Sequence, residues 1–129
     1  MVIARVDILG NINDRMENRV MPVLNYLEVK RKYRAVILFI NSPGGGASSS
    51  ESIAHKVQQI AKRKPVYAVI SGTGASGSYW IAASCDRIYA SGTSIVGSVG
   101  IISILPSFKG LMDKLGVKVD IAKIGEFKS

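Results

Sequence analysis

Apolar residues recur along this chain in two alternating rhythms. Val36–Ile40 and Val66–Ile70 are short unbroken apolar runs, the pattern of strands buried on both faces. Val2–Leu9, broken only by Arg5 and Asp7, also reads as a strand. Between the strands the apolar spacing becomes helical. Val20, Val23, Leu24 and Leu27 share one face within 14–33, a span interrupted by Pro22, so the helix starts either near Asp14 or at Pro22. Ile53, Val57 and Ile60 mark a second helix, running to about Arg63 and capped by Ser48-Ser49-Ser50-Glu51. Small residues from Ser76 to Ser84 predict a third helix, and Leu105–Leu115, closed by Gly116, a fourth. Arg87–Ala90 and Val117–Ala122 read as further strands; 96–102 is glycine-punctuated, either irregular or a strand pair. Strands that alternate with helices predict βαβ units with right-handed crossovers. The expected fold is therefore α/β, a mainly parallel sheet with helices on both faces.

Composition narrows this without redirecting it. A chain of 129 residues is expected to form one domain over 1–129. With 47% hydrophobic and 20% charged residues it has the makings of a core rather than of disorder. No run approaches the roughly 20 apolar residues of a membrane-crossing helix. The start of the chain lacks the cleavage signal of a secretory leader. The net charge of +8 points toward anionic partners. Its carriers are scattered, however, in Arg31, Lys32 and Arg34; Lys62, Arg63 and Lys64; Lys114, Lys118 and Lys123. They have no interleaved aromatic platform, so they read as solvated helix ends and faces. Nucleic acid is not expected as a partner, and contact with an acidic membrane surface fits better. The single cysteine, Cys85, has no internal disulfide partner and reads as a buried structural thiol. One cysteine and one histidine make no metal-ligand set, and no cofactor is expected.

The chemistry concentrates in two turns. Gly74-Ala75-Ser76-Gly77-Ser78-Tyr79-Trp80 follows the run ending at Ile70, the layout of a strand, a tight turn carrying a hydroxyl, and a helix. Such a turn exposes the Ser76 hydroxyl and aims the Gly77 amide at a developing oxyanion. Asn41-Ser42-Pro43-Gly44-Gly45-Gly46 closes the preceding strand in a similar way. An amide of its Gly44-Gly45 turn would complete an oxyanion hole. Ser42 itself reads as a turn residue. Tyr79 and Trp80 read as packing beside the helix, with the lining of a substrate pocket as the alternative.

A nucleophilic serine needs a base. The one histidine, His55, lies two positions from Ile53 on the predicted helix, which makes it a surface residue. A lysine serves the same purpose once its amine is neutral, through burial or a nearby positive charge. Lys128 in Gly125-Glu126-Phe127-Lys128-Ser129 is the best candidate, although seventeen basic residues leave composition alone a weak guide.

Together these segments resemble the signal peptide peptidase A family (peptidase family S49), membrane-associated serine-lysine proteases of the Clp protease/crotonase superfamily. The first glycine turn is similar to that family's oxyanion loop, the Ser76 segment to its nucleophile turn and helix, and Gly125–Ser129 to the segment bearing its general base. Gly97-Ser98-Val99-Gly100-Ile101 resembles a further segment, whose serine orients the lysine in relatives. The resemblance implies Ser76 and Lys128 as the catalytic dyad, with Gly44, Gly45 and Gly77 forming the oxyanion hole. It implies Ser98 as the lysine-orienting residue. It also implies hydrophobic peptide substrates, such as remnant signal peptides or membrane-protein segments, and a homo-oligomeric ring. Two departures stand out near the nucleophile: Ser78 and Trp80 occupy positions where the family often has glycine and tyrosine. The chain also ends one residue after Lys128, where relatives continue, so a piece truncated at its C-terminus is expected, with membrane association through a segment absent here. Two other readings remain. One is a crotonase-type acyl-CoA enzyme, for which Glu51 is the obvious carboxylate; the other is a non-catalytic scaffold or peptide-binding subunit.

Overall fold

A computed structural model of the chain describes residues 2–97, 102–105 and 118–121. In chain order the elements are β1 (Val2–Leu9), α1 (Asp14–Val29), β2 (Tyr33–Ser42), α2 (Ala47–Ala61), β3 (Val66–Gly74), α3 (Gly77–Ala83), β4 (Arg87–Ser91), β5 (Ile95–Val96), β6 (Ile102–Leu105) and β7 (Lys118–Ile121). The strands form one sheet in the order β6-β4-β3-β2-β1-β7, with β5 paired to the end of β3. Every pairing is parallel. From β1 to β4 the chain moves one strand in the same direction at each crossover. A crossover of fixed hand then places α1, α2 and α3 on one face.

The strands show the two-residue period that the apolar runs concealed. Ala4, Val6 and Ile8 of β1, Val36, Leu38 and Ile40 of β2, and Val66, Ala68 and Ile70 of β3 are buried in the main core. They meet Val20, Val23, Leu24 and Leu27 of α1, Ile53, Val57 and Ile60 of α2, and Ile81 of α3. The opposite face carries a smaller buried cluster of Ile3, Ala35, Ile37 and Val69, with Phe39, Tyr67 and Tyr89 packed against it. Both faces of β2 and β3 are thus apolar, which is why their sequences run without alternation. Of the helix expected at 105–115, Leu105 is instead the last residue of β6, and 106–115 fall outside the described residues.

The structure resolves the choice left open in the first helix, which starts at Asp14. Asn13 is its N-cap, accepting from the Met16 amide at 2.9 Å, and Asp14 and Glu17 complement the dipole of the first turn. Pro22 lies inside the helix. Both Pro22 and Asn18, whose carbonyl loses its intrahelical donor, are on the exposed face, where that carbonyl is open to solvent. The cap expected from Ser48, Ser49 and Ser50 is corrected: α2 begins at Ala47 with Gly46 as N-cap. The chain enters this helix through an isolated parallel bridge between Ile12 and Gly45, so backbone pairing fixes the start that a cap would have marked. Ser49 instead donates to Asp14 Oδ1 at 3.2 Å, joining α2 to α1.

Candidate active site

The carboxyl ends of β2 and β3 lie side by side, and the two glycine-bearing turns leave the sheet there. Their register slips between Ile40 and Ser42, so that Ser42 pairs with Gly74. That slip sets the turns against each other. Ser42 is fully buried, and its carbonyl accepts from the Ala75 amide at 3.4 Å and from Ser78 Oγ at 2.7 Å. Ser78 Oγ also contacts the Ala75 carbonyl at 2.8 Å. One buried hydroxyl therefore ties the two turns together. Sequence reasoning treated Ser78 only as a departure from the family pattern and missed this role, because a serine in the first turn of a helix carries no signal of a partner 36 positions away.

Ser76 is the sharp point of the second turn. With φ 55° and ψ −126° it is the one non-glycine residue in the left-handed half of φ space among the described residues. Such backbone costs about 1–3 kcal/mol and persists where surrounding structure enforces it. Ser76 is exposed, and although it occupies the N-cap position of α3 its side chain makes no capping bond. The hydroxyl is thus left available where a capping serine would be engaged.

Gly44 explains how close the turns are. Its φ is +101°, and a Cβ there would lie 2.7 Å from Ser76 Cβ, 2.9 Å from Gly77 N and 3.0 Å from Ala75 O. The Gly44 amide is engaged, donating to Ser42 Oγ at 3.1 Å, while its carbonyl accepts from Ile12 at 3.0 Å. Gly45 has no room for a side chain either, because Ile12 lies against it. Its amide and that of Gly77 have no backbone acceptor among the described residues. A Cβ on Gly77 would stand 3.8 Å from Gly45 N, so the two open amides belong to one small region beside Ser76. Gly97 closes the other flank, donating to the Gly74 carbonyl at 3.0 Å. A Cβ there would be 3.4 Å from Ser76 N.

The remaining candidates divide cleanly. Lys128 and Ser98 lie outside the described residues. His55 is on the exposed side of α2, as its spacing predicted, and Glu51 is exposed on the same helix. Tyr79 packs against the main core and Trp80 is 39% exposed. The Cys85 thiol faces the Ile81 carbonyl at 3.6 Å; burial, reinforced by Asp86, pushes its pKa well up, which makes it an inert thiol. Among the described residues no cluster of His, Cys, Asp or Glu has the makings of a metal site. Nor is any described helix long and apolar enough to cross a membrane.

Comparison with known proteins bears on the family and the fold. The family model of peptidase family S49 matches residues 58–129. A Methanocaldococcus jannaschii protein named "Putative protease" is 43% identical over 106 residues, 82% of this chain and 34% of that protein. Protease 4 of Haemophilus influenzae is 42% identical over 88 residues, 67% of this chain and 14% of that protein. The chloroplastic serine protease SPPA of Arabidopsis thaliana is 32% identical over 97 residues, 75% of this chain and 14% of that protein. The chain thus spans less than half the length of these relatives. Among solved structures, the ClpP protease catalytic domain from Plasmodium falciparum superposes with a TM-score of 0.63 at 21% identity, covering 72% of this chain and 53% of that one. A ClpP1 variant from Listeria monocytogenes gives 0.60 at 20% identity, covering 86% and 62%. These two likenesses establish the ClpP-like fold.

Proposed function

The chain belongs to peptidase family S49, and from that premise we propose that it is the catalytic portion of a serine endopeptidase whose nucleophile is Ser76 and whose general base is Lys128. The observation that carries the reading is the strained turn at Ser76. An exposed, uncapped hydroxyl stands beside the open amides of Gly45 and Gly77, and Gly44 makes the close approach possible. Ser76 Oγ attacks the peptide carbonyl, and the neutral amine of Lys128 takes its proton and returns it to the leaving amine. The Gly45 and Gly77 amides hold the tetrahedral oxyanion. Each such donor is worth about 2.7–4 kcal/mol in the transition state. Gly44 shapes the hole and leaves the donating to Gly45, because its own amide serves Ser42. Ser98 orients the lysine. The substrates are hydrophobic peptides, remnant signal peptides or membrane-protein segments, and small residues suit the cleavage position. Subunits assemble into a homo-oligomeric ring, and the membrane is reached through a segment other than the described helices.

An acyl-CoA reading finds less support, since Glu51, the carboxylate it would use, is an exposed helix residue. Labelling with a fluorophosphonate probe tests the assignment. The parent chain is expected to label, Ser76→Ala not at all, and Lys128→Ala much more slowly across neutral pH. The labelling rate should climb with pH as the lysine amine loses its proton. Equal labelling of Ser76→Ala would remove the nucleophile, and a flat pH profile would remove the amine base.

A further inference from the structure

Ser50 lies in the first turns of α2, is fully buried, and carries the one buried side-chain oxygen without a hydrogen-bond partner among the described residues. A buried hydroxyl left in this state destabilises a fold, and natural proteins keep few of them. Its location is specific. The Cα–H of Gly77 that a side chain would replace points directly at Ser50 Oγ, and a Cβ there would also sit 2.9 Å from Ser50 Cβ. Gly77 opens α3 and follows Ser76. The same face of Gly77 looks toward the Gly45 amide. Ser50 is anchored from below, its own amide donating to the Gly46 carbonyl at 3.0 Å. It therefore forms a rigid floor linking the turn that carries Gly45 to the turn that carries Gly77.

We propose that Ser50 is a positioning residue for the oxyanion hole: its hydroxyl, wedged beneath Gly77, holds the Gly77 amide at the height and tilt at which it converges with the Gly45 amide. The proposal rests on Ser76 being the nucleophile. A floor built of carbon alone would have a different radius and no weak acceptor for the Gly77 Cα–H. Burial without a bond is thus the signature of a side chain retained for placement, a local sacrifice of stability at a functional site.

The test uses the full chain and a small fluorophosphonate, whose phosphonyl oxygen occupies the oxyanion position as the Ser76 adduct forms. Labelling is resolved into probe affinity and maximal rate, and melting temperature is measured beside it. Ser50→Ala is expected to slow the maximal rate about tenfold or more with probe affinity unchanged, while the melting temperature holds or rises. Ser50→Gly, which removes the floor altogether, should be slower still. An unchanged maximal rate in Ser50→Ala would overturn the proposal and leave the nucleophile standing. A rate loss that merely follows a drop in melting temperature would overturn it as well, since that is the behaviour of a packing residue. Failure of the parent chain to label would instead overturn the Ser76 assignment, and this proposal with it.

Discussion

The two ends of the parallel sheet are built on opposite terms. At the carboxyl end, where β2 and β3 deliver their turns, polar groups are left open among the described residues: the uncapped Ser76, the amides of Gly45 and Gly77, and the partnerless Ser50. At the amino end the connections 30–34 and 62–65 are crowded with cations, and most are engaged. Lys64 Nζ donates to the carbonyls of Leu27, Lys30 and Tyr33 at 2.6, 3.1 and 2.8 Å. That gathers the last carbonyls of α1 under a positive charge borrowed from another loop, in a helix with no basic residue of its own in the last turn. Glu28 pairs with Lys56 at 3.0 Å and with Arg63 at 3.9 Å. A hollow of about 670 Å³ opens there, lined by Glu28, Arg31, Tyr33, Arg34, Arg63 and Lys64, and the amine of its one lysine is already given to three carbonyls. Density of charge points to the amino end; strain and, among the described residues, unmet hydrogen bonds point to the carboxyl end. The proposed nucleophile, Ser76, lies where strain and unmet hydrogen bonds are found, and a satisfied group has less left to offer a substrate.

The contrast is broken most forcefully at Gly44. Replacement by alanine forces an L-residue into φ +101° and drives its Cβ into Ser76 Cβ and Gly77 N. Neither obstacle is the far end of a flexible side chain, so the two turns must separate. Gly44→Ala is expected to lower fluorophosphonate labelling by on the order of 100-fold and to cost about 2–4 kcal/mol of stability. Chemical denaturation and the labelling rate check the two parts. Retention of both would mean that the turns are not held as closely as the carboxyl end requires.

Ser78→Ala acts at the same end with a smaller effect. The Ser42 carbonyl loses its 2.7 Å donor and keeps only the longer bond from Ala75. A stability loss of about 1–2 kcal/mol follows from a buried bond removed with its acceptor left behind. The labelling rate should fall several-fold, because the clasp between the Gly44-Gly45 turn and the Ser76 turn has loosened. Denaturation with labelling on the same sample separates these. A stability loss with unaltered labelling would show that the clasp is structural only.

How much of this was legible beforehand follows the range of the interactions. The first four strands, the three helices between them and their alternation were readable, since a buried period such as Ile53, Val57 and Ile60 is a local property. The Ser76 turn was readable because its small residues and its place after a strand are also local. Glycine positions announced themselves too, but not their division of labour. That Gly44 gives its amide to Ser42 while Gly45 keeps its own depends on Ile12 bridging the loop from 33 positions earlier. Ser78 and Ser50 were unreadable for the same reason, each defined by a neighbour across the fold rather than along the chain. The start of α1 at Asp14, ahead of Pro22, turned on which side of the helix the proline faces, something its apolar face shows only once the helix is granted.

Lys64 gives the smallest effect and the cleanest counterweight. Burial and the neighbouring Arg63 pull its pKa below the ordinary lysine value, with Glu28 opposing them. Its three carbonyl contacts nevertheless make it the fastening between the end of α1 and the start of β2. Lys64→Met keeps the aliphatic stem and removes the donors. The carbonyls are partly solvated, so water recovers a share of what is lost, and a destabilisation of about 1–2 kcal/mol is expected. Labelling of Ser76 per folded molecule should not change, because the contacts of Lys64, to the Leu27, Lys30 and Tyr33 carbonyls, lie at the other end of the strands from the two turns. Denaturant titration paired with labelling in the folded baseline checks both statements. If labelling fell together with stability, the two ends would be coupled through β2 and β3, and the division between a satisfied end and an open one would describe hydrogen bonding alone.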